Sequence, residues 1–136
     1  MIRVAIDTNA YAGFKRGDQE LVEVLAAADL IGVSLVVFGE LLSGFAVGSR
    51  SDQNCRELDA FLSSSRVRTL VIDPEAARWY ARIYAVLRAA GRPISTNDLW
   101  IAATCLQNGL ALVTRDRHFD QIDGLIAGAR LALFLP

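Results

Sequence analysis

One histidine, two cysteines, three prolines and a single lysine are all that this 136-residue chain has of those types. A lone histidine, His118, excludes a histidine-built metal site. Cys55 and Cys105 are far apart, with no C-x-x-C pair and no Cys/His cluster beside them. That excludes a zinc framework and leaves two reduced thiols, as expected in a reducing compartment. No apolar run approaches the ~18 residues of a membrane span. The opening Met1–Asp7 does not read as a signal peptide, because its apolar stretch is short and an acid ends it. The expectation is a cytoplasmic protein with no membrane contact. No repeat, low-complexity segment or Pro-rich linker divides the chain, so residues 1–136 read as a single domain.

What is present is apolar residue. The hydrophobic share is 53% against 21% charged, and the mean hydropathy is +0.33. This excludes disorder, and the surplus must go into a buried sheet or a subunit interface, with both expected. The net charge of −1 lacks the basic excess of many nucleic-acid binders, so any such contact must rest on a local patch.

Strand-like and helix-like segments alternate. Strands are expected at Ile2–Ile6, Leu30–Ser34, Val67–Ile72, Leu110–Thr114 and Arg130–Phe134, the third from its β-branched residues. Asp18 is a candidate N-cap for a helix through Ala28. A second helix runs from Leu35 to about Phe45, broken near Gly44 and Gly48. A third opens at Asp52 and ends in Ser63-Ser64-Ser65. Asp73-Pro74 starts a fourth, with Trp79, Ile83, Val86 and Leu87 on one side and Gly91 as its stop. Ser95 or Thr96 caps a fifth, Asn97–Asn108, which Gly109 terminates. Phe119–Ile126 is expected as a short sixth. Strands separated by helices imply a parallel sheet covered on both faces.

Such sheets bind ligands beyond the carboxyl ends of their strands. That rule selects Asp7, just past the first strand, and Thr114 and Asp116, just past Leu110–Val113. Asp98 sits in the first turn of a helix, where the dipole favours negative charge. Glu40 lies inside an otherwise apolar helix, a costly position unless the acid is paired or binds a cation. Singly, each acid has a structural explanation, and Glu40 resists it most. Together, Asp7, Glu40, Asp98 and Asp116 can converge at one end of one sheet. Clustered carboxylates repel until a divalent cation joins them, and oxygen ligands favour Mg²⁺ or Mn²⁺. Such an ion can activate water and stabilise charge on a phosphodiester.

Four segments carry a resemblance: Ile6-Asp7-Thr8-Asn9; Gly39-Glu40-Leu41 with Gly44; Asn97 through Ala103; and Leu112 through Phe119. They resemble the motifs of PIN-domain nucleases, in order and across nearly the whole chain, and are most similar to VapC-type toxins of toxin–antitoxin pairs. The resemblance implies a PIN-like three-layer α/β/α fold with a central parallel sheet of four to five strands. It implies a Mg²⁺- or Mn²⁺-dependent endoribonuclease with Asp7, Glu40, Asp98 and Asp116 as the metal-binding acids. Thr8, Asn9 and Thr114 match supporting polar positions, and Asp120 an outer acid. It also implies a homodimer and a small cognate antitoxin that blocks the site and reaches DNA through its own half.

For an RNA substrate, Lys15, Arg16, Arg115 and Arg117 are candidate phosphate contacts, against a reading as solvated charge. His118 could act as an acid, but beside Phe119 a packing or hydrogen-bonding role is favoured. Trp79, Tyr80 and Tyr84 could stack bases, but their helical spacing favours core or dimer contacts. Two other functions compete: a metal-bound scaffold that recruits RNA or protein without cutting, and a Mg²⁺-dependent phosphatase with Asp7 as nucleophile. The latter would want an acid where Asn9 stands, and a well-placed lysine besides Lys15.

Overall fold

The computed structural model describes all residues, 1–136. Five strands form one parallel sheet in the order β3-β2-β1-β4-β5. They are β1 (Arg3–Ile6), β2 (Leu30–Ser34), β3 (Val67–Leu70), β4 (Ala111–Val113) and β5 (Ala127–Gly128). Six helices connect and flank them: α1 (Thr8–Lys15), α2 (Gln19–Ala27), α3 (Leu35–Ala46), α4 (Ser51–Leu62), α5 (Pro74–Ala89) and α6 (Thr96–Asn108). Consecutive residues of the central strands are buried, Val4, Ala5 and Ile6 in β1 and Ile31 to Ser34 in β2. Burial of both pleat directions means that both sheet faces are covered, as the alternation of elements predicted.

Local chemistry sets most boundaries. Ser34 caps α3 through Val37 N–H, Asp73 caps α5 through Ala76 N–H ahead of Pro74, and Ser95 caps α6 through Asp98 N–H. Gly109 closes α6 at φ 64°, a left-handed conformation that only glycine adopts without strain. Gly32 answers to packing instead. A Cβ there would lie 2.7 Å from Leu70 Cδ1 and 2.9 Å from Leu110 Cδ1.

Two expectations are corrected, and one helix was not expected. The segment after Asp7 is a helix, α1, because the Asp7 carboxylate accepts from Ala10 N–H and caps it. Phe119–Ile126 is not a helix: a 3₁₀ turn spans Arg117–Gln121, and Gly124 at φ 83° turns the chain into β5. Arg130–Phe134 is not the last strand. Leu131–Phe134 is a second 3₁₀ turn, and Leu133 folds back to within 2.5 Å of where a Gly128 Cβ would stand. That turn lies against α2, with Leu133 returning over Gly128 of β5 instead of pairing beside it. On α5, Ile83 and Leu87 are buried as expected, but Val86 faces solvent. No helix is long and apolar enough to cross a membrane.

Candidate metal centre

The strand order places the change of direction between β1 and β4: one neighbour of β1 leads on through β2 to β3, the other through β4 to β5. Asp7 leaves β1 and Thr114 leaves β4 at that point, where parallel sheets open a crevice. Asp7 is buried, and one of its oxygens accepts from Ala10 N–H at 2.8 Å. The other accepts from the buried Thr114 hydroxyl. That hydroxyl in turn accepts from Asp116 N–H at 2.9 Å, so one threonine ties the acid after β1 to the acid after β4.

Glu40 comes from the neighbouring layer. Helix α3 touches both α1 and α6, and Glu40 projects between them, half-buried. Its Oε1 accepts from Thr8 Oγ1 at 2.6 Å and its Oε2 from Asn97 Nδ2 at 3.1 Å. The acid that looked misplaced in an apolar helix is therefore held by donors from both neighbours. Asp98 follows Asn97 on α6. Its N–H donates to Ser95 Oγ at 3.2 Å, which seats it in the first turn of α6.

The four acids share one electrostatic neighbourhood. Burial pushes the Asp7 carboxyl above the ordinary carboxylate range, and the charges of Asp116 and Asp98 push it further. The Thr114 and Ala10 donors pull it partly back. Asp98 is likewise pushed up by burial and then by Asp116 and Glu40, against the pull of its Ser95 bond. Ligand atoms of Asp98, Asp116 and His118 all lie within 4.8 Å of one another, close enough to share one ion. The donors are chiefly carboxylate oxygens, which fits a hard divalent cation.

The remaining candidates divide. Thr8 and Thr114 hold acids as expected, whereas Asn9 is exposed and donates no side-chain bond to any of them. Asp120 lies outside the cluster and meets Arg117 Nε at 3.6 Å, on an open cleft beside Asp116. Lys15 pairs with Glu57 at 3.8 Å, and Arg16 has no carboxylate partner. Arg115 reaches Asp18 with two nitrogens and Glu20 with one, so it pins the loop after β4 to the start of α2. His118 does not pack: its side chain is 67% exposed, and the buried neighbour is Phe119. Trp79 and Tyr80 pack against the core, Tyr80 on Trp100 with ring centres 4.3 Å apart. Ser95 caps the helix as expected, whereas Asn97 was missed as a positioning residue for Glu40. The adjacency of Asn97 to Asp98 at a helix start was the available signal.

The PIN domain family model matches residues 4–125. Ribonuclease VapC5 of Mycobacterium tuberculosis is 33% identical over 119 residues, covering 88% of this chain and 87% of that protein. Ribonuclease VapC2 of Rickettsia felis is 32% identical, covering 89% and 92%. The crystal structure of VapBC2 from Rickettsia felis, bound to a DNA fragment from its promoter, superposes with a TM-score of 0.79 at 30% identity over 93% of this chain and 97% of that one. From its sheet order to its acidic crevice, this chain belongs to the PIN-domain family, within its VapC group.

Proposed function

We propose that this chain is a divalent-metal-dependent endoribonuclease that acts in the cytoplasm as the toxin of a toxin–antitoxin pair. The observation that carries the reading is the crevice between β1 and β4, where Asp7, Asp98 and Asp116 repel one another and Glu40 adds its charge to Asp98. Such repulsion costs stability unless a cation is there to relieve it. Asp7, Glu40, Asp98 and Asp116 would hold the ion, Mg²⁺ with Mn²⁺ as substitute. When bound, it supplies Lewis acidity at a phosphodiester.

The chain's own residues do the positioning. Thr114 and Ala10 N–H orient Asp7, while Thr8 and Asn97 orient Glu40, each before an ion arrives. Outer contacts of this kind fix ligand geometry and affinity. Lys15, Arg16 and Arg117 are the proposed phosphate contacts for the RNA strand, and Arg115 serves chiefly to fix its loop. The ribonuclease names of the relatives and the VapBC pairing of the structural neighbour support an RNA substrate and a cognate antitoxin partner. The protein would act as a homodimer and would meet DNA only through that antitoxin.

Purified, antitoxin-free protein should cleave some member of a panel of structured RNAs when given Mn²⁺. A chelator and Asp98→Asn should each abolish the cut. Binding across the panel without any cleavage would instead favour the non-cutting scaffold.

A further inference from the structure

We propose that His118 is a nitrogen ligand of the metal centre, and that it tilts the site toward Mn²⁺ and away from Mg²⁺. This rests on the metal-dependent reading above, but adds a donor that carboxylate chemistry alone does not supply. The imidazole Nδ1 lies 3.2 Å from Asp116 Oδ1, and both fall within the 4.8 Å group that includes Asp98. The backbone aims it there. Asp116 Oδ1 also accepts His118 N–H at 2.8 Å, which closes the first turn of the 3₁₀ segment Arg117–Gln121 and directs the His118 side chain back over Asp116. Phe119, fully buried next in the chain, anchors that turn in the core. The imidazole itself is two-thirds exposed at 67%, so it can turn onto an ion without repacking anything.

The chemical consequence is selectivity. Mg²⁺ takes oxygen ligands and keeps most of its waters, and it gains little from an imidazole. Imidazole is a good ligand for first-row transition ions, and Mn²⁺ shares the oxygen preference of this site while accepting nitrogen. One histidine among carboxylates therefore discriminates between two ions that the carboxylates alone hold similarly.

Two measurements test this on the full-length protein. Pulsed electron paramagnetic resonance of the Mn²⁺-loaded wild type should show hyperfine coupling to a directly bound imidazole ¹⁴N. That coupling should vanish in His118→Ala. Calorimetric titration should show Mn²⁺ affinity falling about tenfold or more in His118→Ala, the scale on which lost ligand support is felt. Mg²⁺ affinity should move less than about twofold, because Mg²⁺ makes little use of nitrogen ligands. Mn²⁺ bound with no nitrogen coupling, or an unchanged Mn²⁺-to-Mg²⁺ ratio in the variant, overturns the ligand role and leaves the nuclease reading standing. A wild type that binds neither ion overturns both.

Discussion

Thr114→Val probes how the acids are held before any ion binds. Thr114 is 2% exposed, and its hydroxyl is used twice, donating to Asp7 and accepting from Asp116 N–H. Valine keeps the shape and removes both bonds. Losing a hydrogen bond to a charged group costs about 1.5–3 kcal/mol, and a neutral one about 1 kcal/mol. Because Asp116 N–H is only partly buried, water can replace its partner, and a total of about 2–3 kcal/mol is expected. At this chain length each kcal/mol is worth about 3–5 °C, so the metal-free variant should melt about 10 °C lower.

The pH dependence identifies which bond matters. Burial already holds the Asp7 carboxyl above its unfolded value, and the Thr114 bond pulls it down. Valine removes that pull, so the folded pKa rises further. The penalty is therefore full above the folded pKa and fades as pH falls through it, where a protonated Asp7 no longer needs the donor. Calorimetric melts with chelator, repeated stepwise from about pH 7 downward, follow whether the deficit shrinks on acidification. Thr114→Ser keeps the hydroxyl and should lose only about 1 kcal/mol for its missing methyl. A valine variant that melts with the wild type, or whose deficit grows on acidification, refutes the reasoning.

Asp98→Asn should raise the melting temperature of metal-free protein near neutral pH, because burial and the Asp116 and Glu40 charges hold that carboxyl above its unfolded value. The gain should shrink as pH falls through the folded pKa, where the wild type takes up its own proton. Added Mg²⁺ should reverse the order, stabilising wild type by about 2.7 kcal/mol at roughly 100 times its Kd and the variant little. An equal shift in both proteins would place the ion elsewhere. Gly32→Ala should cost about 1–3 kcal/mol in urea denaturation, since the new methyl would meet the Leu70 and Leu110 side chains. Arg115→Ala should lower the melting temperature at low ionic strength but not in ~1 M salt, where exposed pairs such as Arg115–Asp18 are screened within about 3 Å.

Elements with strong local signals were legible. Asp73-Pro74, the Ser95 cap and Gly109 marked α5 and α6, and four strands stand close to their expected positions. Helix α1 was not legible, because its capping residue is Asp7, which reads equally well as the turn after a strand. The last eighteen residues, from Phe119 on, were misjudged for a different reason. Leu131–Phe134 has the composition of a strand, but Ala127–Gly128 takes the place beside β4, and the later segment turns against α2 instead.

The same division holds at the crevice. By itself the sequence determined which acids exist, and it determined that Asp7 and Asp116 follow strands while Asp98 opens a helix, because caps, breakers and strand periodicity are local properties. It also singled out Glu40, since an acid among apolar residues needs a partner. Only the tertiary structure decided what that partner is: Thr8 from α1 and Asn97 from α6, residues 32 and 57 positions away. It likewise decided that Arg115 is held by Asp18 while His118 stands beside Asp98 and Asp116. Those contacts depend on which helices pack together across the sheet, and no short-range pattern in the chain encodes that.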